Sequence, residues 1–310
     1  MSLKSQPPVA LIAGPTAGGK SALALAHAEQ VGGVIVNADS AQIYRELPIL
    51  SAAPGPDELS RAEHRLYGVL EGGQPCSAAG WAEIAKHTIA EVHASGRLPI
   101  LVGGTGLYIR TLLQGIAPVP TIDPDVRRKV RERSVEENRL DLLALDAEAA
   151  ERLKPADSLR IARALEVVLS TRKTLREWQQ RREGGIAEDI RLHPVVLLPP
   201  REWLYSRCDE RFAAMIHNGA AEEVLALLDR HLDPNLPVMR GIGVREIEGW
   251  LNGRATREEA VAAGQQATRR YAKRQYTWFA HQPPAEWPRF REALDDRTLP
   301  QALALLQATS

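Results

Sequence analysis

A glycine-rich stretch near the start of the chain has the residue types needed to hold phosphate groups. Residues 14–21 read GPTAGGKS and match G-x-x-x-x-G-K-[ST], between an apolar run and a segment of helix formers. Glycines let backbone N–H groups turn toward an anion, and the start of the following helix adds partial positive charge. Lys20 can reach a terminal phosphate, and the Ser21 hydroxyl can bind Mg²⁺. This phosphate loop predicts a polyphosphate site but leaves open whether the phosphate is transferred, as from ATP, or departs as a leaving group.

Two more polar groups follow apolar runs. Asp39 comes directly after GVIVNA, and Thr105 lies in GGTGLY after LPILV. Parallel α/β sheets bind ligands at the carboxyl ends of their strands, so both side chains are candidates for the site. Each also has a structural interpretation, because Asp-Ser after a strand is a common turn or helix cap and Thr105 could cap the next helix.

The elements that must position these residues can be predicted from hydrophobic patterning. Helical spacing covers 20–30 and 79–94. Apolar runs predict strands at 9–13, 33–37, 65–70, 98–102 and 193–198. Strands that alternate with helices indicate an α/β fold whose parallel sheet is covered on both faces. With the phosphate loop after the first strand, the prediction is a P-loop NTPase-like core.

A segment with a different sequence pattern interrupts this alternation of strands and helices. Residues 119–187 contain charged helical stretches and no strand-like run, which predicts an all-helical insertion domain. The core is then built from residues 1–118 and residues 188–310. The second part is mostly helical and includes a long helix around 256–281.

Composition limits the class of protein. Acidic and basic residues balance, with 39 of each in 310 residues, so the net charge does not indicate a nucleic-acid partner. Only Cys76 and Cys208 are present, which argues against a disulfide scaffold or a cysteine-ligated zinc and favours a reducing compartment. No apolar stretch is long enough to span a membrane. We expect a soluble, cytoplasmic protein.

Any RNA contact must therefore come from local basic segments, and the strongest of these is TRRYAKRQYTWF. Arg269, Arg270, Lys273 and Arg274 recur there at helical spacing, with aromatic residues between them and no acid. This pattern favours RNA or diphosphate contact over a plain amphipathic helix.

Two basic segments in the insertion are less specific. The run at 127–133 is followed closely by acids, so a solvated helix explains it as well as a binding patch does. Arg160 and Arg163 fall three apart on one helix face, where they could contact RNA or pair with Glu166.

Four stretches taken together resemble one family closely. GPTAGGKS, NADSAQIY, LVGGTGLY and AKRQYTWF look like the motifs of tRNA dimethylallyltransferases, which attach an isopentenyl group to adenosine 37 of certain tRNAs. The segments DSLRIARALEV, DERFAAMIHNGAAEEV and RGIGVRE are similar to the family's patterns as well. The resemblance extends from the phosphate loop to about Phe279. A phosphate loop alone is unspecific, whereas this combination is highly specific.

The resemblance implies that the phosphate is a leaving group. The diphosphate of dimethylallyl diphosphate would lie in the phosphate loop, with Mg²⁺ on Ser21. Asp39 lies where the family has the base that takes a proton from adenine N6 during attack on the allylic C1. Thr105 and Arg211 lie at positions associated with orienting that acid and binding diphosphate. The diphosphate contacts implied are Gly14, Pro15, Thr16, Ala17, Gly18, Gly19, Lys20 and Ser21.

The resemblance also implies a monomer that binds the anticodon loop of tRNA, partly through the helical insertion. Because adenine 37 is a loop base, it must be unstacked to enter the site. The implied tRNA contacts are Asp39, Ser40, Ala41, Gln42, Thr105, Arg127, Arg160, Arg163, Arg240, Arg245, Arg270, Lys273 and Arg274.

The chain departs from the family's pattern at three positions. Gly18 stands where a serine is usual, Val244 where a tyrosine is expected, and Ala53 where a lysine is common. The absent lysine bears on a phosphate contact from that loop rather than on the reaction.

Two other functions fit parts of the sequence. An adenylate isopentenyltransferase would prenylate free AMP or ATP, but a nucleotide acceptor does not need a helical insertion of this size. A P-loop small-molecule kinase, or an RNA-binding ATPase, would use the phosphate loop for ATP. Neither explains GGTGLY together with KRQYTWF.

Overall fold

The computed structural model describes residues 6–307. The chain divides into two compact units, one formed by Met1–Leu113 with Ile186–Ser310 and the other by Gln114–Gly185. The helical unit was expected at 119–187. Its second boundary falls at Gly185 because the next two amides, of Ile186 and Ala187, already donate to carbonyl oxygens of the first unit.

The first unit contains a six-stranded sheet in which each paired strand is parallel to its neighbour. The strands are β1 Pro8–Ala13, β2 Val34–Asn37, β3 Glu63–Arg65, β4 Pro99–Gly103, β5 Arg191–Leu197 and β6 Arg289–Phe290. Their order across the sheet is β3-β2-β4-β1-β5-β6. This confirms the predicted parallel α/β core and puts the first strand near its centre.

Helices connect these strands, and helices also make up most of the second unit. In chain order they are α1 Lys20–Val31, α2 Pro56–Arg61, α3 Ala78–Ala94, α4 Gly106–Gln114, α5 Pro124–Glu132, α6 Val135–Leu145, α7 Ala147–Arg152, α8 Ser158–Thr171, α9 Leu175–Gln179, α10 Arg201–His217, α11 Ala220–Leu228, α12 Val244–Leu251, α13 Arg257–His281 and α14 Leu299–Gln307. The long helix expected at 256–281 is α13, with the Thr256 side chain capping its first turn.

Both faces of the sheet are buried, as the apolar strand sequences require. Side chains alternate along β1, so that Leu11 belongs to one apolar cluster and Ile12 to the other. The Leu11 cluster includes residues of α3, α4, α10 and α13, and the Ile12 cluster includes residues of α1 and α14. The carboxyl ends of the strands remain the edge at which polar loops can gather.

One strand prediction was wrong, and one strand was not predicted. The strand expected at 65–70 is β3, which ends at Arg65 because Leu66 has a φ of 66° and turns the chain out of the sheet. Leu66 instead packs in the core from a turn, Leu70 is partly buried and makes a single bridge to Tyr44, and Val69 is exposed. The two-residue β6 was not predicted, since so short a run has no detectable period.

The second unit is built from α5–α9 around its own apolar cluster, which includes Leu142, Ile161 and Leu165. Its helices begin at side-chain caps, as when the Ser134 hydroxyl accepts the Glu137 N–H at 3.3 Å. Glu166 is buried among these helices and accepts from Arg131 at 2.6 Å.

Candidate active site

The phosphate loop connects β1 to α1 and depends on glycine at both ends. Gly14 has a φ of 152°, and a Cβ there would stand 2.6 Å from the carbonyl oxygen of Leu197. Gly19 has a φ of 91° and directly precedes α1. A larger side chain at either position would move the loop or strain it. The glycines of the motif therefore specify the backbone conformation of the loop.

Lys20 lies inside this loop, where its Nζ donates to the Pro15 carbonyl at 2.8 Å. Burial lowers the pKa of Lys20 to about 8; the Asp39 carboxylate acts in the opposite direction, and the Arg211 guanidinium adds to the lowering. Lys20 is therefore charged at neutral pH but close to losing its proton.

Arg211 reaches the same loop from α10, where it donates to the hydroxyl of Thr16. One turn earlier on that helix, Cys208 is buried, and burial raises the pKa of its free thiol. The loop is thus flanked by a cation that lies far away in the sequence.

Asp39 follows β2 and forms a turn rather than a helix cap. One carboxylate oxygen accepts the Ala41 N–H at 2.9 Å. Thr105 does not cap α4 with its side chain either, because its hydroxyl accepts the Ser40 N–H at 3.0 Å and donates to the Ser40 hydroxyl at 3.2 Å. The contact ties the GGTG turn to the residue next to Asp39.

Two cavities meet at these residues. One, of about 560 Å³, is lined by the phosphate loop; we call it the phosphate cavity. The other, of about 530 Å³, is lined largely by apolar side chains such as Leu47, Phe212 and Met215; we call it the apolar cavity. The lining residues common to both are Thr16, Asp39, Ser51 and Arg211. The shared wall carries the candidate base and a candidate diphosphate ligand.

The residues predicted to contact tRNA are distributed over several surfaces. In the first unit, Ser40, Ala41, Arg240 and Arg274 line the apolar cavity. Gln42 lines the phosphate cavity, and its side-chain amide donates to the carbonyls of two residues in the 51–53 loop. Arg245 on α12 and Arg270 and Lys273 on α13 are exposed.

In the second unit, Arg127 and Arg160 are exposed, and Arg160 pairs with Asp157 at 3.5 Å. Arg163 is half-buried, 3.9 Å from Glu166. Ion pairing, the structural alternative for Arg163, is therefore present, although Glu166 lies closer to Arg131.

The phosphate cavity offers few protein ligands for a metal ion. Among residues 6–307 there is no group of three or more His, Cys, Asp or Glu side chains that could hold one. Ser21 and Asp39 line the phosphate cavity together and supply oxygen atoms. This donor set fits Mg²⁺, which binds through one or two protein groups and takes its other ligands from phosphates and water.

Sequence reasoning did not single out two contributors from α13. Gln275 is buried and bonds to both the phosphate loop and the GGTG turn. Tyr271 lines the apolar cavity in hydrogen-bonding contact with Thr105, and burial raises the pKa of its hydroxyl. A signal was available, because the buried positions 268, 272, 275 and 279 form one helical stripe in which a glutamine is out of place.

A parallel sheet with G-x-x-x-x-G-K-S between its first strand and the next helix defines a P-loop-containing α/β protein. Here the loop opens beside a second, apolar cavity, with a carboxylate in the shared wall. The model of the IPP transferase family matches residues 42–282, and the chain belongs to that family.

Alignments with similar proteins extend over most of the chain. A protein of Sphingopyxis alaskensis named tRNA dimethylallyltransferase is 60% identical over 287 residues, which are 92% of this chain and 94% of that one. The crystal structure of a tRNA isopentenylpyrophosphate transferase from Bacillus halodurans is 28% identical, with a TM-score of 0.69 and 98% of both chains covered. A eukaryotic dimethylallyltransferase acting on tRNA is 25% identical, with a TM-score of 0.76 over 88% of this chain and 69% of that one.

The same comparisons make the chain a prenyl-transferring enzyme by family. No helix within residues 6–307 has the length and hydropathy needed to cross a bilayer.

Proposed function

We propose that this protein transfers the dimethylallyl group of dimethylallyl diphosphate to N6 of adenosine 37 in tRNA. The observation that carries the proposal is the position of Asp39 in the wall shared by the phosphate cavity and the apolar cavity. A donor held by its diphosphate in the first and an adenine entering through the second would meet beside this carboxylate. The relatives' names support tRNA as the acceptor.

The reaction needs a proton acceptor. The exocyclic amine of adenine is a weak nucleophile because its lone pair is delocalised into the ring. As N6 attacks the allylic C1, the N6–C1 bond forms, the C1–O bond breaks and its electron pair leaves with the diphosphate. Asp39 takes the proton that N6 loses. Thr105 keeps the Asp39 turn in place through Ser40.

Charge grows on the departing diphosphate, and the phosphate cavity is arranged to stabilise it. Lys20, Arg211 and the loop amides supply positive charge and hydrogen-bond donors. Ser21 would help to hold Mg²⁺, whose charge would offset that of the diphosphate oxygens, and Asp39 would stay free to act as the base. Ala53, where the family commonly has a lysine, also lines this cavity, so its cationic lining residues are Lys20, Arg207 and Arg211.

The tRNA would be bound by the basic side chains of α13 and of the second unit, with adenine 37 flipped into the apolar cavity. Arg240 and Arg274 at the lining of that cavity suit contacts to the phosphates that flank the flipped base. We propose that the enzyme acts as a monomer in the cytoplasm, where its tRNA substrate is found.

A transfer assay with radiolabelled dimethylallyl diphosphate and Mg²⁺ tests this function. The acceptors are a tRNA with A36-A37-A38, the same tRNA with A37 changed to G, and free AMP. We expect label only in the first. Label on AMP would favour an adenylate isopentenyltransferase, and phosphoryl transfer from ATP without prenylation would favour a kinase.

The role of Asp39 has a separate test. Asp39→Asn keeps the shape of the side chain but removes the base, so we expect kcat to fall by about 10²–10⁴-fold with tRNA affinity retained. Asp57→Asn, at an exposed carboxylate on α2, is the matched control and should leave kcat unchanged. If Asp39→Asn retained wild-type kcat, Asp39 could not be the base.

A further inference from the structure

One side chain joins the two loops that form the shared wall. Gln275, on α13, is only 5% exposed. Its side-chain oxygen accepts the Thr16 N–H at 2.8 Å, and its side-chain nitrogen donates to the Gly104 carbonyl at 2.8 Å. A glutamine amide has one acceptor and one donor end, and here each end is used on a different loop.

Each of these loops carries one half of the proposed chemistry. Thr16 belongs to the phosphate loop and accepts from Arg211 through its hydroxyl. Gly104 directly precedes Thr105, whose hydroxyl bonds to Ser40 beside Asp39. A shift of the first loop would move the diphosphate ligands, and a shift of the second would move the base.

The packing around the amide leaves little freedom. β1 and β4 are neighbouring strands with Ala13 paired to Gly103, so the two loops leave the sheet side by side. A Cβ at Gly104 would stand 2.3 Å from the Gln275 side-chain nitrogen. A Cβ at Gly106 would stand 2.5 Å from the ring of Trp278, one helical turn further along α13. The GGTG turn is thus seated directly on this helix.

We infer that Gln275 is a positioning residue that sets the distance between the diphosphate-binding loop and the loop that orients the base. It contacts neither the base nor the phosphates in this role, and it acts through the backbones of Thr16 and Gly104. A single amide thus satisfies the buried Gly104 carbonyl and the partly buried Thr16 N–H, which keeps the loops in register because an unpaired buried group is costly. Only the effect of Gln275 on prenyl transfer rests on the proposed function.

Gln275→Met removes both hydrogen bonds at nearly constant volume. Gln265→Met is the matched control, since Gln265 lies on the same helix and donates to the Asp209 carbonyl at 3.1 Å, outside both cavities. The readouts are the affinity for inorganic diphosphate, kcat and KM for prenyl transfer, tRNA affinity, Tm, and hydrogen exchange of a peptide containing the Thr16 amide.

For Gln275→Met we expect diphosphate affinity and kcat each to fall by about tenfold, because misplacing reacting groups by a fraction of an ångström has effects of this size. The Thr16 amide should exchange faster, and tRNA affinity should stay within twofold. Gln265→Met should leave the two affinities, kcat, KM and the exchange rate within twofold and Tm unchanged. Unchanged diphosphate affinity and kcat in Gln275→Met, or equal losses in the control at a similar Tm, would overturn the inference.

Gln275→Glu provides a second test if the methionine variant does not fold. A protonated carboxyl again offers one acceptor and one donor, whereas the ionised form cannot donate to Gly104. The ratio of variant to wild-type kcat/KM should therefore rise from pH 8 to pH 6. A variant that keeps wild-type kcat/KM at both pH values would overturn the inference.

The proposed function and the inference about Gln275 can be refuted independently of each other. If the wild-type protein binds diphosphate but does not prenylate tRNA, the proposed function is wrong. The diphosphate affinities and the exchange of the Thr16 amide still decide whether Gln275 positions the phosphate loop.

Discussion

Lys20 should make the binding of dimethylallyl diphosphate depend on pH above 8. Its Nζ lies within the phosphate loop and donates to the Pro15 carbonyl. Burial disfavours the ammonium form and lowers the pKa of Lys20 to about 8, even though Asp39 opposes the shift. A group with a lowered pKa of this kind is charged below pH 8 and loses its charge as the pH rises through 8. The affinity is therefore lost on the alkaline side.

The size of the effect follows from this pKa. With a pKa of about 8, the charged fraction of Lys20 falls from about nine tenths at pH 7 to about one tenth at pH 9. If only the charged form binds tightly, the apparent Kd rises by the same factor of about ten, equivalent to about 1.4 kcal/mol. Because bound diphosphate favours the ammonium form, binding at pH 9 should take up about one proton.

Isothermal titration calorimetry with dimethylallyl diphosphate and Mg²⁺, without tRNA, measures both quantities. Titrations between pH 7 and pH 9, in two buffers of different ionisation enthalpy, give the Kd and the proton uptake. A terminal phosphate has its second pKa near about 6, so the charge on the ligand changes little over this range. Lys20→Arg is the control, since a guanidinium stays charged throughout and its Kd should not vary with pH. If the Kd of the wild-type protein did not change with pH, or changed equally in Lys20→Arg, the pH dependence could not be assigned to Lys20.

Two further predictions concern stability. A Cβ at Gly264 would stand 2.0 Å from the Phe212 ring, so Gly264→Ala should lower the free energy of unfolding by about 1–3 kcal/mol. Gly249→Ala is the control, because Gly249 also lies within a helix but a Cβ there would have nothing within 4 Å, so this variant should raise the free energy of unfolding by up to about 1 kcal/mol. Urea denaturation measures both variants, and equal effects would contradict the packing argument. Burial lowers the pKa of His27, so as the pH falls below about 6.5 the unfolded chain binds the proton first and stability falls by up to about 1.4 kcal/mol per pH unit. His27→Leu should flatten the dependence of Tm on pH between 7 and 5, and equal slopes in wild type and His27→Leu would contradict this.

Features that depend on neighbours in sequence could be predicted well. The phosphate loop is an example, since Gly14, Gly19 and Lys20 act within one strand–turn–helix unit whose geometry is local. The parallel sheet followed from short apolar runs that alternate with helices, and the helical insertion followed from the absence of such runs. The strand expected at 65–70 was wrong because Leu66 is buried from a turn, which hydrophobicity alone does not distinguish from a strand.

Contacts between distant segments could not be predicted from spacing. Asp39 and Thr105 could be assigned to one edge of the sheet, but the hydrogen bonds that join Thr105 to Ser40 depend on β2 and β4 being neighbours. The roles of Arg163 and Arg131 depended in the same way on which arginine approaches Glu166 more closely.

The family, the phosphate loop and the candidate groups Asp39, Thr105 and Arg211 could be recognised from the sequence alone, because each lies in a short contiguous motif. Only the tertiary structure decided how they are combined. Arg211 bonds to Thr16 across 195 positions, and Gln275 bonds to the same residue across 259. Such distances close only when α10 and α13 pack over the ends of the strands, and that packing puts Asp39 in a wall common to two cavities.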